Sequence, residues 1–313
     1  MTPSTAPRRL IIATRESALA MWQARHVQAR LQGLYPRASI ELLGVTTQGD
    51  QIVDRPLSAI GGKGLFIKEL EIAMADGRAD LAVHSLKDVP MNVALGFVIA
   101  AVEAREDARD AFVSNRHATL DSLPADAVVG TSSLRREAQL REKRPRLRVE
   151  ALRGNVNTRL RKLDEGRYDA IVLAAAGLKR LGLSDRIRDL IDPSISLPAP
   201  GQGALALECR ADRPDVIAAL APLNDTATSL ATTAERAFSR ALSGSCHTPL
   251  AAFATWQEGT LWLRGMIASR DGSEVLRGER EAEIVDDEAA ALLGTTLAGE
   301  FLTHGAGRLI VSD

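Results

Sequence analysis

The chain has 313 residues, 45% hydrophobic and 4% aromatic, and its 39 lysines and arginines against 40 aspartates and glutamates give a formal net charge of −1. That length favours two or three domains, and the balanced charge excludes a general attraction to nucleic acid or an anionic membrane, so any basic site has to be local. No run approaches the roughly 18 apolar residues of a membrane span, and the apolar stretch Leu10 to Ala13 is too short for a signal-peptide core, so a cytoplasmic protein is expected.

In chain order, Arg9 to Ala13 reads as a buried strand, and Ala18 to Leu31 as an amphipathic helix with Leu19, Trp22, Val27 and Leu31 toward one side. Ile40 to Val45 is a second strand. Thr46 to Gly64 is Gly-rich and polar, and long enough for a mobile lid. A helix over Leu65 to Ala75 and strands at Asp80 to His84 and Phe97 to Val102 complete a βαβα order that favours a parallel sheet.

The charged run Arg105 to Asp110 marks a crossing into a second α/β unit. Its strands are Ala111 to Val113, Ala127 to Gly130, Leu147 to Leu152 and Ala170 to Ala174, and its helices are Ser133 to Lys143 and Val156 to Glu165. Ser196 to Gly203, with two prolines and two glycines, is a return linker, and Gly203 to Cys209 a strand that rejoins the first sheet. From Asn224 a long helix runs to Leu242, opened by the capping candidates Asn224 and Asp225 and closed by Gly244. Three strands come next, Leu250 to Thr255, Leu261 to Ala268 and Glu274 to Glu283, with the turn pairs Glu258-Gly259 and Asp271-Gly272 between them. A last helix covers Asp287 to Leu302. The expected fold is α/β: two α/β domains, 1–105 with 200–221 and 106–199, then a smaller α+β domain, 222–313, with a three-stranded antiparallel sheet.

The densest chemical signal is basic: Arg135 and Arg136 open one helix, Arg153 ends a strand, Arg159 and Arg161 lie on the next helix, and Lys179 and Arg180 follow a further strand. Strand-to-helix junctions of an open sheet are where ligands bind, and Thr131-Ser132-Ser133 offers hydroxyl and backbone N–H donors to a carboxylate or phosphate. Ordinary ion pairs on a solvated face account for the same spacing. Single-strand nucleic-acid platforms interleave cations with aromatics, and Ser133 to Gly166 has none, so small polycarboxylates fit better than RNA.

Gly61-Gly62-Lys63-Gly64 lacks the phosphate-loop pattern and reads instead as a flexible lid with Lys63 as an anion contact. His84 to Pro90 places Lys87 and Asp88 on a loop at the sheet edge, where a carboxylate among arginines is costly unless it stabilises a cation. Of the two cysteines, Cys209 lies in an apolar strand and reads as core. Cys246, in Gly244-Ser245-Cys246-His247-Thr248-Pro249, has small neighbours that leave the thiol reachable, although free cysteines are more often inert packing. The five histidines are not at ligand spacing from one another or from a cysteine, so no metal site is expected.

Together these stretches resemble the hydroxymethylbilane synthase (porphobilinogen deaminase) family along almost the whole chain. The resemblance rests on Ala13 to Ser17, Gly61 to Phe66, Ala82 to Pro90, Gly130 to Arg136, Leu152 to Asn155, Leu178 to Gly182, Pro200 to Gly203 and Glu235-Arg236 through Pro249, in that order. It implies two domains like periplasmic binding proteins and a third that carries a dipyrromethane cofactor on Cys246 by a thioether. It also implies the reaction: four porphobilinogen molecules are deaminated and joined head to tail into hydroxymethylbilane, with no metal or nucleotide.

Each porphobilinogen brings an acetate and a propionate, for which Arg15, Arg135, Arg136, Arg153, Arg159 and Arg180 would be the guanidiniums. Loss of ammonia leaves an azafulvene cation, which the resemblance assigns to Asp88 for stabilisation and proton transfer. Asp88, Ser17, Lys87, Thr131, Ser132, Ser133, Arg135 and Arg136 are implied to contact the cofactor, and Arg15, Lys63, Phe66, Arg153, Arg159, Arg180 and Gln202 the substrate. Gln48, where some members carry a basic residue, and His247-Thr248 depart from the pattern. A monomer is implied. The rival readings are a non-catalytic bilobal carboxylate-binding module, which has no need of the Cys246 loop, and an RNA-binding protein, which predicts steeply salt-dependent affinity.

Overall fold

The computed structural model describes residues 6–47, 67–242, 248–269 and 271–310. Lys63, Phe66, Cys246, Gln48 and most of the expected lid lie outside the described residues. Along the chain the elements are β1 (Arg9–Arg15), α1 (Ala18–Leu34), β2 (Ser39–Val45), α2 (Lys68–Ala75), β3 (Leu81–Ser85), β4 (Phe97–Val102), β5 (Asp110–Val113), β6 (Val128–Gly130), α3 (Leu134–Lys143), β7 (Arg148–Glu150), α4 (Val156–Asp164), β8 (Ala170–Ala174), α5 (Ala175–Arg180), β9 (Asp189–Ile191), β10 (Leu205–Arg210), α6 (Pro214–Leu220), α7 (Thr226–Ala241), β11 (Leu250–Gln257), β12 (Thr260–Ala268), β13 (Val275–Glu283) and α8 (Asp287–Thr303). They divide into two compact units, 1–105 with 204–229 and 106–203 with 230–313.

The first unit holds a five-stranded sheet of order β2-β1-β3-β10-β4. β1 runs parallel to β2 and β3, whereas β10 is antiparallel to both its neighbours, so the sheet is mixed rather than parallel. Alternation along β1 explains the two faces. Leu10 and Ile12 pack with Ala24, Val27 and Leu31 of α1 and with Val216 and Leu220 of α6, while Ala13 packs with Leu70, Ala73 and Met74 of α2. The buried side of α1 is Ala20, Gln23, Ala24, Val27 and Leu31. Trp22, expected on that side, is instead partly exposed and stacked on His26 at 5.2 Å. Cys209 is fully buried in β10, and burial pushes its thiol up to about 11, so it is inert core, as its apolar strand suggests.

The second unit contains a sheet of order β7-β6-β8-β5-β9, in which β6 is parallel to β7 and β8 and β5 is antiparallel to β8 and β9. Leu140 of α3 covers one face with Phe112, Val129 and Val172; Leu160 and Leu163 of α4 and Leu178 of α5 cover the other. α5 and β9 were not foreseen, because six and three residues are too few for a periodic signal.

The same unit includes the antiparallel sheet β11-β12-β13, matching the expected α+β segment. Asp225 accepts from the Thr228 N–H at 2.8 Å, the bond expected of an N-cap for α7. One sheet face packs on α7 and α8, and the other on Ala138 of α3 and Leu197. Gly265 and Gly278, partners across β12 and β13, admit two rings, Phe238 and Phe301, which meet edge to face at 5.0 Å. A Cβ on Gly265 would stand 2.5 Å from Phe238, and one on Gly278 2.7 Å from Phe301.

Gly265→Ala is therefore expected to destabilise the protein by about 1–3 kcal/mol through overpacking, measured by denaturant unfolding. A second test concerns the acidic groups beneath α2, where Glu71 lies near Glu208, whose Oε2 is 2.9 Å from His84 Nε2. Burial, then the Glu208 charge, push the Glu71 carboxyl up, against a smaller opposing effect of His84. An acid whose folded pKa is raised costs stability above that pKa and nothing below its unfolded pKa. Glu71→Gln should thus raise Tm at neutral pH, and the gain should vanish as the pH falls through the carboxylate range.

Candidate active site

Adjacent parallel strands place their carboxyl ends on one edge of a sheet, and in each unit most of the residues singled out from the sequence gather there. In the first unit Arg15 is the last residue of β1 and half-buried, and Ser17 caps α1 by accepting from the Ala20 N–H at 3.4 Å. On the neighbouring parallel strand, β3 ends at Ser85 and passes into a single 3₁₀ turn, Leu86 to Asp88.

Lys87 and Asp88 are thus on a turn rather than an irregular loop, and the turn is anchored. Leu86 is fully buried, its N–H donates to Ala204 O at 3.0 Å, and the Val89 N–H closes back on Leu86 O at 3.1 Å. Pro90, which has no N–H to give, ends it. Lys87 is half-buried and Asp88 exposed, so a fixed backbone presents a carboxylate to solvent or ligand. Gln23, 3% exposed on the apolar side of α1, donates to Ser85 Oγ at 2.8 Å and ties the helix to the end of β3. Sequence reading missed Gln23; a polar residue inside the Ala20-Ala24-Val27 stripe was its signal.

In the second unit β6 ends at Gly130 and the chain enters α3 through Thr131-Ser132-Ser133. Ser133 Oγ caps α3 by accepting from the Arg136 N–H at 3.4 Å, Ser132 Oγ donates to Leu152 O at 2.8 Å, and Thr131 Oγ1 accepts from the Ser133 N–H at 3.2 Å. After β7 comes Arg153, half-buried, with burial pushing its guanidinium pKa down. Gly154 has φ +109°, which lets the chain turn sharply, and Asn155 caps α4 by accepting from the Thr158 N–H at 2.9 Å. Arg159 Nε donates to Gly154 O at 2.7 Å, so Arg153 and Arg159 belong to one turn, joined by Lys162, whose Nζ donates to Arg153 O at 3.1 Å.

Arg135 and Arg136 are not on a solvated face. Both are buried, and both bind Asp110, the first residue of β5, which is itself fully buried. Arg135 Nη2 lies 2.9 Å from Asp110 Oδ2, and Arg136 Nη2 2.8 Å from Oδ1. Gln202 Nε2 donates to Asp110 Oδ1 at 2.9 Å and Ser196 Oγ to Oδ2 at 2.8 Å. Burial would push the Asp110 carboxyl up, but Arg135, Arg136 and these hydrogen bonds overcome it and hold it well below the usual carboxylate range. Arg180 completes the neighbourhood by donating from Nη2 to Gly203 O at 2.7 Å, next to Gln202. Nothing in the charged run Arg105 to Asp110 distinguished Asp110 from its neighbours.

Each unit carries groups of its own for a polar ligand. The second unit by itself offers a helix N-terminus, hydroxyls and guanidiniums suited to carboxylates, and the first unit by itself an exposed carboxylate suited to N–H donors. The carboxylate-binding groups of the second unit are of the chemical kind that the acetate and propionate side chains of a dipyrromethane require. Among the described residues no group of three or more His, Cys, Asp or Glu could hold a metal ion, and no helix is long and apolar enough to cross a membrane.

Comparison with known proteins gives two family-model matches: "Porphobilinogen deaminase, dipyromethane cofactor binding domain" over residues 10–218, and "Porphobilinogen deaminase, C-terminal domain" over residues 229–303. Similar curated proteins include the porphobilinogen deaminase of Paraburkholderia phytofirmans, 60% identical over 97% of this chain and 89% of that protein. That of Chromobacterium violaceum is 60% identical over 97% of each chain, and that of Methylobacillus flagellatus 58% identical over 98% of each. Among solved structures, the periplasmic aliphatic sulphonate binding protein SsuA from Escherichia coli aligns over 98% of this chain and 92% of its own, with TM-score 0.41 and 14% identity.

Proposed function

This chain belongs to the porphobilinogen deaminase family, and from that premise we propose how its residues perform the family's reaction. It is a transferase, a hydroxymethylbilane synthase. It deaminates porphobilinogen, condenses four units head to tail on an enzyme-bound dipyrromethane, and releases the linear tetrapyrrole by hydrolysis, a step of porphyrin and haem biosynthesis. The observation that carries the reading is the family match over nearly the whole chain, coinciding with the exposed Asp88 carboxylate on an anchored turn.

Cys246 holds the dipyrromethane through a thioether. When bound, that group supplies the pyrrole carbon to which the first substrate ring is joined. The remaining work falls to side chains. Asp88 accepts the pyrrole N–H of the substrate, stabilises the positive charge that departure of ammonia leaves on that ring, and takes up the proton released when the new C–C bond forms. Its exposure suits this role, since a carboxylate that meets successive rings must not be committed to a buried partner.

Ser17, Lys87, Thr131, Ser132, Ser133, Arg135 and Arg136 hold the cofactor's acetate and propionate groups. Arg15, Arg153, Arg159, Arg180 and Gln202, with Lys63 and Phe66, receive those of the substrate. Arginine is suited to this because it stays charged and grips a carboxylate with two N–H groups. The body of α7, α8 and the three-stranded sheet acts as a third domain, 222–313, beside 1–105 with 200–221 and 106–199. The enzyme works as a cytoplasmic monomer, without nucleic acid or membrane.

Intact-protein mass spectrometry tests the reading. Protein from cells that make porphobilinogen should carry a dipyrromethane adduct, absent in Cys246→Ser and retained when Cys209 is replaced by Ser. An unmodified wild-type mass, with no ammonia released from porphobilinogen, would overturn it. Asp88→Asn keeps the size and loses the charge, so kcat should fall by about two to three orders of magnitude with the fold intact by circular dichroism.

A further inference from the structure

The buried cluster around Asp110 has a charge that does not close. Among the described residues, Asp110 is the carboxylate with which both Arg135 and Arg136 pair, so two buried guanidiniums share one negative charge. A network serving stability alone would be neutral, because an uncompensated charge of this size costs several kcal/mol when taken out of water. The excess positive charge sits in the first turn of α3, beside the Ser133 cap and Thr131-Ser132, where the helix dipole adds to its attraction for an anion. Successive residues on a helix diverge by about 100°. Arg135 and Arg136 nevertheless converge, and the carboxylate they converge on is held from two further sides by Ser196 and Gln202.

We infer that Asp110 is a positioning residue of the reaction: it draws the two guanidiniums together and sets their joint charge at one positive unit, matched to one ligand carboxylate. The inference rests on the deaminase reading above and adds a residue to it. The position of Asp110 is set by strand direction, since it pairs with Ala174, the last residue of the antiparallel neighbour β8. It therefore enters the sheet at the edge where β8 leaves it. Backbone carbonyls finish the clamp: Arg136 Nη1 donates to Val172 O at 3.2 Å and Arg135 Nη1 to Leu197 O. Neither arginine can swing away from the carboxylate without breaking bonds to the backbone.

The test uses Asp110→Asn and Asp110→Ala made in cells that produce porphobilinogen. In Asp110→Asn the fraction of chains bearing the adduct, read by intact mass, should drop about tenfold or more, because the pair is left like-charged and unaligned. In Asp110→Ala, formate should restore porphobilinogen consumption several-fold and chloride at equal ionic strength should not, since only a carboxylate re-forms the bonds to Ser196, Gln202 and both guanidiniums. A soluble Asp110→Asn with a full adduct and wild-type kcat and KM would overturn the inference, as would Asp110→Ala that formate does not help. Should both variants fail to fold, Ser196→Ala removes one bond to the carboxylate and keeps every charge. It should raise KM for porphobilinogen about two- to fivefold with kcat held within about twofold, and an unchanged KM would overturn the inference. A wild-type chain without adduct or ammonia release overturns the deaminase reading instead.

Discussion

Strands laid parallel in a sheet deliver their carboxyl ends to one edge, so the turns that leave neighbouring strands lie side by side however far apart they are in the chain. β1 and β3 bring Arg15 and Ser17 to the edge that carries Lys87 and Asp88. β6, β7 and β8 do the same for Thr131 to Arg136, for Arg153 to Arg159 and for α5 with Arg180. The antiparallel strands are equally consequential. β5 begins where β8 ends, which puts Asp110 among the arginines, and β10 runs against β3, so that Ala204 O receives the N–H of Leu86 and steadies the turn bearing Asp88.

The two carboxylates so placed have opposite environments, in keeping with the different roles proposed for them. Asp110 is fully buried, and its charge survives there only because two guanidiniums, an amide and a hydroxyl surround it; such a group orients others and is not available to a passing substrate. Asp88 is exposed on a turn held by two backbone hydrogen bonds, which suits the proposed role of meeting one ring after another. Cys209 makes the corresponding point for thiols: full burial raises its pKa and removes it from chemistry.

Much of the architecture was legible because period and punctuation are local. The strand and helix alternation, the Asp225 cap, the hairpin turns at Glu258-Gly259 and Asp271-Gly272, and the antiparallel C-terminal sheet arise from residues within a few positions of each other. The misreadings have a common cause. Trp22 fits the apolar side of α1 by spacing, yet its ring lies on His26 at the surface, and the buried place falls to Gln23, because what a helix buries depends on the sheet it meets. The directions of β5 and β10 were not read at all, since nothing local states a strand's direction, and both prove antiparallel to their neighbours.

The sequence by itself determined the residue types, their order and the punctuation of the elements, and with them the family and the list of candidate residues. These are one-dimensional properties, carried by motifs that tolerate no rearrangement in order. Only the tertiary structure decided which charges meet. That Arg135 and Arg136 close on Asp110, and that Gln202 and Ser196 hold it, depends on strand order, strand direction and burial, through contacts 25 to 92 positions apart in the chain. Coulomb attraction and desolvation act through space, and no window along the chain contains them.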